Sequence, residues 1–153
     1  MQSANGHNVI QVLLVEDNPG DALLIQEATQ QSGADCQITV ARDGEVALDM
    51  LNGAGNEPAV SRPDLILLDL NLPKMSGHEV LKELKTHDEL RPIPVVILSS
   101  SRAERDVSTA HDRHCNAYFC KPPTFDECVQ LARLIVDFWQ KAEWYRPAAI
   151  SAG

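Results

Sequence analysis

Five residues have side chains suited to handling an anionic group, and each stands just past a short apolar run. Val12-Leu13-Leu14-Val15 leads into Glu16-Asp17, Leu65-Ile66-Leu67-Leu68 into Asp69, Val95-Val96-Ile97-Leu98 into Ser99, and Ala117-Tyr118-Phe119-Cys120 into Lys121. Three carboxylates gathered together repel, and all stay ionised only if a cation or a lysine offsets them. Oxygen ligands of this kind suit Mg²⁺ (or another divalent cation such as Mn²⁺), which binds through one or two carboxylates plus phosphate. An aspartate is a competent nucleophile for phosphoryl transfer and yields an acyl phosphate. Lys121 would neutralise charge on the transferring oxygens, and the Ser99 hydroxyl can donate to one of them. Taken singly, Glu16-Asp17 also reads as an acidic pair leading a helix, Ser99 as a loop cap and Lys121 as a solvated surface lysine. Asp69 resists such a reading, because an acid directly after four apolar residues is costly to bury unpaired.

These residues meet only if the chain folds so that the strand ends converge. The runs at 12–15, 65–68 and 95–98 are continuously apolar, as in strands buried on both faces. Gln37 to Ala41 alternates, like a strand nearer an edge, and 117–120 forms a fifth short strand. Between them lie helical signals. Asn18-Pro19 offers an N-cap with proline at the first helical position, followed by a stripe of Leu24, Ile25 and Ala28, with Gly33 as the stop. Asp43-Gly44 precedes a helix carrying Val46, Ala47, Met50 and Leu51. Ser76 to Glu79 reads as a capping box before Val80, Leu81 and Leu84, and Thr124 to Glu127 as another. A helix at about 103–113 has only Val107 and Ala110 as its apolar stripe. Strand–helix alternation repeated five times implies an α/β domain with a parallel sheet and helices on both faces. In such sheets ligands gather at the carboxyl ends of the strands.

Length and composition set bounds. A chain of 153 residues with 44% hydrophobic content suits one domain with one core. Residues 1–8 read as a flexible lead, 9–141 as the domain and 142–153 as a tail; 53–63 is a long Gly/Pro/polar loop. No apolar run is long enough for a membrane span and the start lacks signal-peptide features, so the expectation is a cytoplasmic protein without a membrane partner. The net charge of −9 argues against a nucleic-acid partner. Cys36, Cys115, Cys120 and Cys128 form no CxxC pair and read as reduced, buried thiols. His111 and His114 lack companions for a metal set.

Val-Glu-Asp-Asn at 15–18, Leu-Leu-Asp-Leu-Asn-Leu-Pro at 67–73, Ser99 and Lys121-Pro122 together resemble the receiver domain of two-component response regulators, over roughly residues 9–141. The resemblance implies a flavodoxin-like (βα)5 fold and transfer of a phosphoryl group from a histidine kinase to Asp69. It implies a divalent metal held by Glu16, Asp17, Asp69 and the backbone carbonyl of Asn71. Ser99 and Tyr118 would form a switch pair, Asn71 and Ser101 would tune phosphate lifetime, and Lys121 would contact the phosphoryl group, with a cis peptide before Pro122. Glu16 stands where Asp is frequent, and Ser99 where threonine is; the longer glutamate reaches a metal through water. The run 92–98 and Phe138-Trp139 resemble the small regulators paired with bacterial phytochromes. Such a protein is a phosphoacceptor switch rather than an enzyme. The alternatives on the same architecture are an aspartyl-phosphate hydrolase and a flavin-binding protein. The first would want an acid where Asn71 stands, and the second a phosphate-cradling loop where Glu16-Asp17 would repel phosphate.

With a tail of a dozen residues after the domain, output is expected through binding or by passing the phosphate onward. The last helix carries two apolar columns: Cys128, Leu131, Ile135 and Phe138, then Val129, Ala132, Val136 and Trp139. One-sided packing needs a single stripe. Either both columns pack inward, or the last helix, the fifth strand and the tail support a homodimer.

Overall fold

The computed structural model describes residues 9–53 and 62–141. The proposed lead at 1–8, the tail at 142–153 and most of the loop at 53–63 lie outside the described residues. Ten elements alternate: β1 (Ile10–Val15), α1 (Pro19–Gln31), β2 (Cys36–Ala41), α2 (Gly44–Asn52), β3 (Leu65–Leu68), α3 (Gly77–Thr86), β4 (Val95–Ser99), α4 (Glu104–Asp112), β5 (Ala117–Cys120) and α5 (Phe125–Lys141). The strands form one parallel sheet in the order β2-β1-β3-β4-β5.

Alternation along the strands feeds two cores. Leu13, Val15, Ile66, Leu68, Val95 and Ile97 face α2, α3 and α4, where Val80, Leu81 and Leu84 are buried as the sequence predicts. Ile10, Val12, Leu14, Leu65, Leu67 and Val96 face α1 and α5. Strands covered on both faces must be apolar throughout, which is why β3 is buried at all four positions while edge strand β2 alternates.

Local signals set the helix starts. The Asn18 side chain accepts from the Asp21 amide at 3.1 Å with Pro19 at the first position. The Asp43 side chain accepts from the Val46 amide at 2.8 Å. Ser76 and Thr124 each accept from the amide three residues on. Gly33 takes a positive φ of 78° just beyond α1. Two expectations need correction. In α1, Ala28 is buried and Ile25 packs on the core as expected, but Leu24 is exposed and Ala22 and Thr29 are buried instead, because small residues let the helix lie close against the sheet. The described residues contain no cis peptide bond, so the cis bond expected before Pro122 is not there; an X-Pro bond differs little in energy between isomers, so sequence alone does not fix which one the loop takes.

Candidate functional site

Register brings the chemistry together. Val15 pairs with Ala41 on one side and Leu68 on the other, so Glu16 and Asp69 leave the sheet at the same level. The Glu16 amide donates to the Ala41 carbonyl at 3.0 Å and the Asp69 amide to the Val15 carbonyl at 3.1 Å, extending the ladder by one step. Ser99 pairs with Cys120, and the Lys121 amide donates to the Ser99 carbonyl at 2.8 Å. The strand order reverses between β1 and β3, the crevice where open α/β sheets place ligands.

Two of the acids are nearly sealed from water, with Glu16 2% exposed and Asp69 5%. Lys121 answers them. Its ammonium donates to Glu16 Oε1 at 2.7 Å, Asp69 Oδ2 at 2.9 Å and Asp21 Oδ2 at 3.0 Å. Burial works against the Lys121 charge, yet the hydrogen bonds to Glu16, Asp69 and Asp21 outweigh it and hold the ammonium above the ordinary lysine range. Glu16 is pushed up, first by burial and then by the neighbouring Asp69 carboxylate, against the pull of Lys121 and the Asn18 amide. Burial therefore wins over pairing at Glu16.

Glu16, Asp17 and Asp69 each offer an oxygen, and these atoms lie within 4.8 Å of one another. Bonds of 2.0–2.6 Å place oxygens on opposite sides of one hard cation roughly 4–5 Å apart. The donor set is all oxygen, and the spacing fits one divalent ion.

The loop after β3 is fixed by α3. The Asn71 amide donates to Asp69 Oδ1 at 3.1 Å, and the Gly77 amide to the Leu70 carbonyl at 2.9 Å. At Gly77 an added Cβ would lie 2.2 Å from the Asp69 carbonyl oxygen and 2.5 Å from Leu70 Cα. Only glycine lets the start of α3 press this close against the backbone that carries Asp69.

The remaining residues singled out by sequence form an adjoining network. Ser99 is fully buried and its hydroxyl oxygen accepts from the Ser101 amide at 3.3 Å. The Tyr118 phenol donates to the Ser101 carbonyl at 2.9 Å, and burial pushes that phenol up. The Ser101 hydroxyl points to Asp106 Oδ2 at 2.5 Å, and Asp106 Oδ1 meets His78 Nε2 at 3.1 Å. Hydrogen bonds from Ser101 and His78 hold the Asp106 carboxyl below its usual range. Sequence reasoning identified Glu16, Asp17, Asp69, Asn71, Ser99, Ser101, Tyr118 and Lys121. It missed Asp21, whose place in the first turn of a helix already accounts for an acid. It also missed Asp106 and His78, whose pairing across α3 and α4 leaves no local pattern. The cysteines are free, but they are half-buried rather than sealed, and burial pushes the Cys36 thiol up to about 11.

Comparison with known proteins agrees with this geometry. The family model "Response regulator receiver domain" matches residues 12–133. The chain is 41% identical over 128 residues to the response regulator Rcp1 of Synechocystis sp., covering 84% of this chain and 87% of that protein. It is also 41% identical over 131 residues to a probable methanogenesis regulatory protein, FilR2, of Methanothrix harundinacea, covering 84% and 82%. Among solved structures, the phosphorylated cyanobacterial phytochrome response regulator RcpA superposes with a TM-score of 0.82 at 42% identity, over 90% of this chain and 99% of that one. The Mn²⁺-bound form of Rcp1 gives 0.77 at 38%, over the same shares. These likenesses do not favour the hydrolase or flavoprotein alternatives. A five-stranded parallel sheet with acids and a lysine at its β1/β3 crevice, matched along most of its length, belongs to the response regulator receiver domain family, and this chain is a response regulator close to those of phytochrome signalling.

Proposed function

We propose that Asp69 is the phosphoacceptor of this response regulator. The observation that carries the reading is Asp69 itself: buried at the end of β3, hydrogen-bonded to Lys121 at 2.9 Å and sharing one oxygen cluster with Glu16 and Asp17. An Asp69 carboxylate oxygen attacks the phosphorus of a kinase phosphohistidine. The P–N bond breaks, and the imidazole leaves with the electron pair and takes up a proton. Glu16, Asp17, Asp69 and the Asn71 carbonyl would hold the divalent cation, Mg²⁺ in our reading. The ion would screen the carboxylates from the incoming group and neutralise its oxygens. Lys121 stays beside Asp69 and contacts a phosphoryl oxygen. Ser99 turns its hydroxyl toward the same group. Because Ser99 Oγ now accepts from the Ser101 amide and Tyr118 holds the Ser101 carbonyl, that turn loosens Tyr118 and lets its ring swing inward. Asn71 and Ser101 tune how long the acyl phosphate lasts, and the chain's chemistry is confined to its own phosphorylation and dephosphorylation.

The donor in this reading is a sensor histidine kinase of phytochrome type, on the strength of similarity to RcpA, Rcp1 and the bacteriophytochrome response regulator RtBRR, the last 36% identical over 90% of this chain with a TM-score of 0.72. The protein works in the cytoplasm, without nucleic acid, and signals by binding, including as a homodimer through α5 and β5. The central experiment is labelling by acetyl phosphate with Mg²⁺, followed by intact mass. Wild type gains one phosphoryl group and Asp69→Asn gains none. Full labelling of that variant would move the acceptor elsewhere, and full labelling of wild type in EDTA would remove the metal from the site.

A further inference from the structure

Lys121 has a third acceptor that the chemistry of the acceptor site does not by itself require. An ammonium has three N–H bonds. Two meet Glu16 and Asp69, and the third meets Asp21 Oδ2 at 3.0 Å. Asp21 sits in the first turn of α1, one turn beyond the acidic pair, and its amide is already used by the Asn18 cap. Its side chain is therefore not needed to close the helix end. It shares the Lys121 ammonium with Asp69, so it competes with the acceptor for that charge.

The consequence is geometric. With only Glu16 and Asp69 as partners, the ammonium is free to rotate and to settle fully onto the carboxylate that must act as nucleophile. A hydrogen bond to that carboxylate lowers its electron density at the moment of attack. A third anchor fixes the orientation of all three N–H bonds and keeps one directed over Asp69, where a phosphoryl oxygen arrives. We propose that Asp21 is a positioning residue for phosphoryl transfer, acting on Asp69 through Lys121. The inference rests on Asp69 being the acceptor. The competing account is that Asp21 only adds favourable charge at the helix start, in which case its loss lowers stability and leaves the chemistry alone.

The two accounts separate in the kinetics. Removing Asp21 also removes a negative charge from the path of an anionic donor, so donor binding does not weaken. Asp21→Asn, labelled with acetyl phosphate and saturating Mg²⁺, is expected to show a maximal rate constant about threefold lower, since the side chain is 44% exposed and its ion pair correspondingly modest. Half-saturation by the donor stays the same or falls. Asp21→Glu restores most of the rate, because it returns a carboxylate within reach of Nζ. In a Lys121→Ala background, Asp21→Asn has no further effect, since a residue acting through Lys121 is silent without it. Wild-type maximal rate in Asp21→Asn overturns the proposal, and so does an equal loss in both Lys121 backgrounds. Asp69→Asn run alongside keeps the cases apart: if that variant labels like wild type, the acceptor assignment fails rather than the role of Asp21.

Discussion

Lys121 holds its charge where Lys85 is pressed to give its own up, and the difference lies in their partners. Lys121 is surrounded by three carboxylates. Lys85, at the end of α3, donates to the backbone carbonyls of Arg91 and Ile93 at 3.0 and 2.9 Å, with no carboxylate partner among the described residues. Carbonyls supply no charge, so burial pushes its ammonium down from 10.5 to about 8, with the nearby Cys115 thiol pulling weakly the other way. Below about 8 both folded and unfolded chains carry this charge, and the cost of burying it is fully present. Between about 8 and 10.5 the folded chain sheds the proton first, so stability rises with pH there and levels off above. The full shift corresponds to about 3 kcal/mol; partial solvation of the amine reduces the expected gain to about 1 kcal/mol. Urea denaturation of wild type and Lys85→Met at pH 7 and pH 9.5 checks it: the wild type should gain on the variant as pH rises, and a constant difference would refute the shift. The acids at the strand ends were legible in the sequence because burying a carboxylate after an apolar strand demands a reason. Asp21 was not, because an acid in a first helical turn already has one.

Among the elements, α3 does more than cover the sheet. Its first residue, Gly77, touches the Asp69–Leu70 backbone, while Val80, Leu81 and Leu84 anchor it in the core. Any side chain at 77 must push the helix off the acceptor loop, and the obstructing atoms are backbone, which cannot rotate away. Gly77→Ala is expected to cost about 2–3 kcal/mol and to slow labelling of Asp69 even in the fraction that stays folded. A variant with wild-type denaturation midpoint and rate would show that the contact is slack. The apolar period of α3 was readable as a helix face; the closeness of its start to Asp69 was not, since it depends on how far one element stands from another. The same limit explains α1. The sequence offers Leu24 as an inward residue beside Ala28, but the face turns through Ala22 and Ala28, whose small size decides how near the helix can lie.

At the scale of the molecule, both apolar columns of α5 pack inward along most of their length. Ile135 of the first and Val136 of the second are buried, Leu131 packs on the same core, and Trp139 Nε1 donates to the Asp64 carbonyl at 3.2 Å. The last residue of the first column turns out: Phe138 is 60% exposed, and Leu134, one turn earlier and in neither column, is 56% exposed. Beside them a shallow apolar depression is lined by Ala117, Phe119 and Ile135, next to β5 at the sheet edge. An exposed aromatic and a leucine beside an apolar depression suit a second copy of the same surface, related by a twofold axis. Two chains of charge −9 also repel each other. An interface made of apolar contact against that repulsion tightens as salt screens the charge. Sedimentation velocity at micromolar concentration should therefore find a dimer whose dissociation constant falls between about 50 mM and 500 mM salt. Leu134→Glu with Phe138→Glu should sediment as a monomer while labelling on Asp69 at the wild-type rate, because the apolar surface they line includes neither Lys121 nor Asp69. A wild-type chain that remains monomeric at both salt concentrations, with and without beryllofluoride as a phosphoryl mimic, would leave this surface to a different partner.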